Sequence, residues 1–173
     1  MRKVIFILTG LFILQAGLFS SANAQIKQVR IKVNGLACSF CAYGLEKKLK
    51  KVDGVGKVTI SLNDGLATLN SKADQSIEFA NLKALVKAAG FSATKIAVTV
   101  QGVVKKTDGF YVLAITHSEE KLIIKNNEKL NSLLSLLNGA QKTIRARGTL
   151  SQKETSNLNS HPFALSITWF EIK

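Results

Sequence analysis

The chain has 173 residues, only two cysteines and a net charge of +13, and these values exclude several classes of protein. The length suits one large domain or two small ones. Two cysteines cannot cross-link a large fold, so the protein is not a disulfide-built scaffold. The sequence contains no Ser-His-Asp set, no motif of paired carboxylates and no phosphate-binding loop. We therefore predict that the protein is not an enzyme.

Residues 1–24 have the three parts of a secretory signal peptide. Arg2 and Lys3 form a basic start, an apolar stretch covers 4–19, and small residues precede a cleavage point before Gln25. We expect a periplasmic or secreted protein that spans no membrane once the signal is removed, an uncleaved anchor being the alternative. An exported protein rarely meets nucleic acid. The positive charge therefore indicates a membrane surface, a cell-wall polyanion, an acidic partner or simply a solvated surface.

The segment 25–98 alternates between strand and helix periodicity. Its order is strand, helix, strand, strand, helix, strand, which predicts a ferredoxin-like domain with two helices on one face of an antiparallel sheet. We expect Ser76 to cap the second helix and Gly90 to end it. The individual predictions are strands at 29–33, 58–62, 66–69 and 91–98 and a first helix over 41–52.

Both cysteines lie in one stretch, Gly35-Leu36-Ala37-Cys38-Ser39-Phe40-Cys41, between a predicted strand and a predicted helix. Thiolates are the preferred ligands of soft metals, and the positive end of a helix favours a thiolate at Cys41. Two sulfurs without a neighbouring His, Asp or Glu suit Cu(I) or Hg(II), whereas zinc, which prefers four ligands, is less suitable. The two histidines, His117 and His161, lie far away in sequence and are expected in loops or at the surface. A local disulfide, a thioredoxin-like redox pair and a degenerate module that no longer meets metal are the alternatives, but thioredoxin motifs usually carry Gly-Pro between the cysteines.

This stretch resembles the Gly-Met-Thr-Cys-x-x-Cys loop of heavy-metal-associated domains, the small copper-chaperone and mercury-scavenger modules. The resemblance covers about residues 26–98 and implies that Cys38 and Cys41 bind the metal. Leu36 stands where the family usually has Met, and it keeps an apolar plug of similar volume under the loop. Ala37 replaces the usual Thr and removes a hydroxyl that could brace the loop.

Two phenylalanines accompany the loop. The resemblance implies that Phe91 packs near the metal loop and supports it, an ordinary core aromatic being the alternative. Phe40, between the cysteines, is expected either to be exposed as a contact for a partner or to tuck into the surface. The implied partner is a metal-transporting membrane protein or its metal-binding domain, with an acidic docking face.

The segment 99–173 predicts three strands, a helix and two strands, an order that resembles the OB-fold, a five-stranded barrel with one helix. Asn126 or Asn127 is expected to cap the helix. Arg145 and Arg147 are candidate partner contacts on a basic face, or ordinary solvated strand residues. The predicted strands are 95–104, 110–116, 121–125, 142–150 and 163–172.

The sequence therefore predicts an α+β protein with a signal peptide at 1–24, a ferredoxin-like heavy-metal-associated domain at 25–98 and an OB-like barrel at 99–173. The expected function is exported capture and transfer of Cu(I) through the thiolates of Cys38 and Cys41. One alternative is an Hg(II) scavenger of the same type. Another is an interaction module in which the cysteines form a disulfide and the basic barrel binds a partner.

Overall fold

The computed structural model describes residues 26–107, 109–116, 120–152 and 163–173. The predicted signal peptide and both histidines lie outside these residues. The described chain forms eight strands and three helices. They are β1 Ile26–Asn34, α1 Ser39–Leu49, β2 Val55–Ser61, β3 Leu66–Ser71, α2 Leu82–Ala88, β4 Ser92–Thr107, β5 Phe110–Ile115, β6 Lys121–Ile124, α3 Glu128–Leu137, β7 Thr143–Gln152 and β8 Phe163–Ile172.

The first half is an antiparallel sheet in the order β2-β3-β1-β4 with α1 and α2 on one face. Period-2 alternation explains this packing, because Val29, Ile31 and Val33 of β1 are buried while Arg30 and Lys32 are exposed. The predicted ferredoxin-like arrangement is confirmed.

The prediction that Ser76 caps the second helix is wrong, because α2 begins only at Leu82. The preceding chain is an irregular connection that buries Ile77 and Phe79, two positions apart. The backbone N–H of Ile77 donates to the carbonyl oxygen of Ile26 at 3.4 Å, which ties this connection to the start of β1. Phe79 has helical spacing to α2, so local periodicity alone suggested a longer helix.

Strand β4 serves both halves of the protein. It pairs with β1 up to Val100, with β5 from Gly102 to Thr107, and along its other edge with β7 from Ile96 to Val103. The predicted division between residues 98 and 99 falls inside this strand.

The second half closes into a barrel in the order β4-β5-β6-β8-β7, with the β7–β4 pairing completing the ring. β6 and β8 are parallel, and the other neighbours in the ring are antiparallel. The strands and the helix follow the predicted order. Assignment of this half to the OB-fold stays a prediction.

Helix α3 is fixed by its cap and by its apolar face. Asn127 is the N-cap, since its Oδ1 accepts from the backbone N–H of Leu130 at 2.9 Å. The Asn127 Nδ2 also donates to the carbonyl oxygen of Ile167 in β8 at 2.9 Å. Leu130, Leu133 and Leu137 are buried, so α3 packs on the barrel through one stripe.

One hydrophobic core runs through both halves. Its largest fully buried side chains come from the sheet, the three helices and the barrel. None of the described helices is long and apolar enough to cross a membrane. The fully buried set is Ile26, Ile31, Leu45, Leu49, Leu69, Ile77, Leu82, Leu113, Leu122, Leu130, Leu133 and Ile144.

Candidate metal site

The cysteine loop joins the end of β1 to the start of α1. Gly35 has a φ of 87°, a left-handed conformation that glycine adopts without a side-chain penalty. The backbone N–H of Ala37 donates to the carbonyl oxygen of Gly35 at 3.0 Å and tightens the turn. Leu36 is 6% exposed and belongs to the core. Leu36 is thus buried at the start of the loop, while the residues that follow it lie at the surface.

Cys38 is itself the N-cap of α1. Its Sγ accepts a hydrogen bond from the backbone N–H of Cys41 at 3.1 Å, and its carbonyl oxygen accepts from the N–H of Ala42 at 3.0 Å. Sequence analysis placed Cys41 in the first turn but missed the capping role of Cys38. No clear signal marked this role, because Ser39 follows Cys38 directly and serine is the more usual N-cap residue. The partial positive charge of the helix end favours an anionic sulfur at Cys38.

The two cysteine sulfurs are joined in a disulfide, and the two Cα atoms are 5.3 Å apart. Both residues are exposed. Among the residues that the structure describes, no group of three or more His, Cys, Asp or Glu side chains lies together. The available donor set in the reduced protein is therefore two sulfurs, which suits a soft ion. The ligand role of Cys38 and Cys41 stays a prediction.

Phe91 lies beside the first residue of the loop. A methyl group at Gly35 would meet the Phe91 ring at 3.7 Å, so the ring borders the first residue of the loop. Phe91 is half-buried against the core, and its N–H donates to the carbonyl oxygen of Val86 at 3.1 Å. It is at once a core aromatic and a neighbour of the loop.

An exposed strip follows the cysteines along α1, and we call Phe40, Tyr43 and Lys47 the aromatic strip. Phe40 is 85% exposed, and Tyr43 is 54% exposed. The Lys47 ammonium lies 4.7 Å from the centre of the Tyr43 ring, a cation–π contact. Sequence analysis missed Tyr43, although its spacing of three from Phe40 puts both on one helix face.

Arg145 and Arg147 lie on β7 and are not brought to the cysteines. Gln28 of β1 pairs with Thr99, and Thr99 pairs with Arg147, so Gln28 marks the position of the arginines along β1. The cysteine loop follows the opposite end of β1, roughly 20 Å along the strand. Arg145 Nη1 is 3.4 Å from the Glu171 carboxylate. The pKa of Glu171 is lowered mainly by its hydrogen bond with Lys173, and the positive charges of Lys173 and Arg145 lower it further.

Comparison with known proteins decides the family of the first half. The heavy-metal-associated domain family matches residues 30–92, a range that includes the whole cysteine loop. Residues 30–92 are a heavy-metal-associated domain. The matched range ends at the start of β4, so the barrel lies outside it.

Two curated relatives match part of the chain. An uncharacterized protein of Haemophilus influenzae is 39% identical over 51 residues, which are 30% of this chain and 54% of that protein. A copper-exporting P-type ATPase of Mycobacterium tuberculosis is 27% identical over 71 residues, which are 41% of this chain and 9% of that protein. The chain therefore spans about half of the first relative and a small part of the second.

Solved structures also align with part of the chain. A copper-binding domain from HMA7, a P-type ATPase, is 22% identical with a TM-score of 0.35, covering 42% of this chain and 93% of that one. The CopZ metallochaperone is 21% identical with a TM-score of 0.35, covering 39% of this chain and 98% of that one.

Proposed function

We propose that this protein is an exported carrier that captures Cu(I) through the thiolates of Cys38 and Cys41 and transfers it to a metal-transporting protein. One observation carries the proposal: two sulfurs meet at an exposed helix N-terminus inside a heavy-metal-associated domain. Hg(II) is the alternative cargo. Binding and transfer, rather than catalysis, are the activity.

Capture requires reduction of the disulfide first. Two electrons and two protons convert the Cys38–Cys41 bond into two thiols, so a dithiol reductant in the same compartment must supply them. Loss of the thiol protons then accompanies metal binding. The helix N-terminus at Cys38 supports this step, because it favours the thiolate over the thiol.

The proposed partner is the metal-binding domain of a copper-transporting membrane protein. A copper-exporting P-type ATPase is among the relatives of this chain. The aromatic strip lies beside the cysteines and ends in Lys47, so an acidic docking face that also carries an apolar contact would complement it. Exposure of Phe40 next to Cys41 supports a contact made during transfer.

An anaerobic competition titration against a Cu(I)-specific chelator tests the carrier. The reduced protein should bind one Cu(I), and the C38S/C41S variant should lose this binding. S39A is the matched control, because it changes the loop between the cysteines and keeps both thiols. Equal competition by C38S/C41S and the parent protein would refute the site. A parallel titration with Hg(II) decides between the two cargoes.

The observed disulfide favours one second candidate, an interaction module in which the cysteine pair is structural and the basic barrel binds a partner. Thiol titration of protein freshly isolated from its native compartment separates the two. Free thiols that appear without added reductant support the metal carrier. A disulfide that persists in the compartment, together with partner binding that the C38S/C41S variant retains, supports the interaction module.

A further inference from the structure

A row of paired residues crosses six strands and joins the two halves. Directly paired residues in a sheet project from the same face, so this row marks one continuous surface. It spans five strand spacings, roughly 24 Å. The register pairs Lys57 with Asn70, Asn70 with Gln28, Gln28 with Thr99, Thr99 with Arg147 and Arg147 with Trp169. We call the surface around this row the open sheet face.

The helices of the heavy-metal-associated domain lie on the opposite face. Alternation along the strands shows this, since Val29, Val58 and Val98 are buried. Their neighbours Arg30 and Lys57 project the other way and are exposed. The open sheet face is therefore not covered by α1 or α2.

The open sheet face is cationic. Arg30, Lys32 and Lys95 lie beside the row, and Arg145 lies next to Arg147. The Glu171 carboxylate opposite Arg145 is already held by Arg145 and Lys173, at 3.4 Å and 2.8 Å. Among the described residues, Arg30, Lys57 and Lys95 form no ion pair, whereas the Lys32 ammonium donates to the carbonyl oxygen of Asp64. Threonines alternate with them on neighbouring strands, at Thr59, Thr68, Thr99 and Thr149.

One end of the row combines a cation with an aromatic ring. The Arg147 guanidinium lies 5.6 Å from the centre of the Trp169 ring, and Trp169 is 42% exposed. Beside it, the Arg145 Nε is buried and has no hydrogen-bond partner in the described part of the chain. This end has an exposed ring and cationic donors.

We propose that the open sheet face binds an anionic polysaccharide, independently of the metal site. The polymer's acidic groups would pair with the cations, its hydroxyls with the threonine and amide side chains, and one sugar ring would stack on Trp169. Surfaces that bind single-stranded nucleic acid stack successive bases on several aromatic residues. Along the described row, Trp169 is the one aromatic side chain, and hydroxyl and amide groups dominate between the cations. This chemistry favours a sugar polymer.

Trp169 is the only tryptophan of the chain, so its fluorescence reports on this face alone. We would titrate the protein with heparin oligosaccharides, polygalacturonate, neutral dextran and a single-stranded oligonucleotide of equal charge. The proposal predicts a fluorescence change with the two anionic polysaccharides and none with dextran. Tighter binding of the oligonucleotide would overturn the choice of a polysaccharide.

Matched charge variants locate the binding surface. R30Q/K57Q/K95Q removes three cations of the open sheet face and leaves the surroundings of Trp169 unchanged. K51Q/K87Q/K129Q removes three exposed lysines elsewhere and gives the same net charge. The first variant should raise the heparin Kd about tenfold, and the second by less than about twofold.

Equal losses in the two variants would overturn the proposal, because they would mean that net charge alone attracts the polymer. Thermal unfolding of both variants establishes that each is folded at the assay temperature. The C38S/C41S variant should bind heparin like the parent protein. This result would separate the open sheet face from the metal site.

Discussion

The rings of Phe79 and Phe163 meet edge to face with their centroids 4.9 Å apart. Phe79 lies in the connection before α2, and Phe163 begins β8, so the contact joins the heavy-metal-associated domain to the barrel. Phe79 is only 3% exposed. The two halves are therefore held together by side-chain packing as well as by β4.

A double-mutant cycle measures this contact. Phe79→Leu and Phe163→Leu should each lower the free energy of unfolding, and the double variant should lose less than their sum. We expect a coupling energy of about 0.5–1.5 kcal/mol, the range for aromatic pairs. Urea unfolding of the four proteins gives the value, and strictly additive losses would show that the rings do not interact.

Two glycines with left-handed backbones should respond differently to alanine. Gly54 and Gly90 have φ values of 77° and 87°. A methyl group at Gly90 meets nothing within 4 Å, so Gly90→Ala should cost only the backbone strain, about 1–2 kcal/mol. At Gly54 the methyl group would collide with the carbonyl oxygen of Ser76, which should add about 1–3 kcal/mol. Equal losses in chemical denaturation would contradict this contact.

Glu120 should make stability depend on pH. Burial raises the pKa of this carboxyl, and the nearby Glu78 carboxylate raises it further. A folded protein that holds a proton more tightly than the unfolded chain loses stability as pH rises through the raised pKa. Glu120→Gln should therefore increase the melting temperature at pH 7. The gain should vanish below about pH 4, near the ordinary glutamate pKa.

Glu78→Gln is the control for this effect. It removes the like charge, and the glutamine oxygen can still accept the hydrogen bond from the N–H of Ala80, now 2.8 Å from Glu78 Oε1. Its stabilisation at pH 7 should be smaller than that of Glu120→Gln, because burial of Glu120 is the larger cause. A melting temperature for Glu120→Gln that does not vary with pH relative to the parent would refute the assignment.

Phe40 should matter for transfer and not for folding or capture. Phe40→Ala removes an exposed ring, so the free energy of unfolding and Cu(I) affinity should change little. The rate of Cu(I) transfer to the soluble metal-binding domain of a copper-exporting ATPase should fall several-fold under anaerobic conditions. Leu136→Ala is the matched control, since Leu136 is 63% exposed on α3. Equal transfer rates for both variants would exclude Phe40 as a partner contact.

Local signals predicted much of this fold. Strand β8 has the predicted limits, Phe163–Ile172, because alternating apolar residues mark it clearly. Asn127 caps α3 as one of the two expected residues. Leu36 is buried, at a position that the motif fixes relative to the cysteines.

Contacts between residues that lie far apart in the sequence could not be predicted. Arg145 and Arg147 were predicted as possible contact residues, but their neighbours Glu171 and Trp169 come from β8. Only the register of the strands brings these groups together. The order of the elements could be predicted without that register, whereas the open sheet face could not.

Because β4 belongs to both the sheet and the barrel, the chain cannot be divided into two complete domains near residue 98. A fragment ending there would keep most of the pairing to β1 but lose the Gln28–Thr99 and Ile26–Val100 pairs. The remaining fragment would lack the part of β4 that pairs with β7 from Ile96 to Val98. Each piece would expose unpaired backbone groups along a sheet edge, which invites association between chains. The domain that carries the cysteine loop and the barrel both depend on β4. Neither can therefore be replaced by another domain unless this shared strand is redesigned.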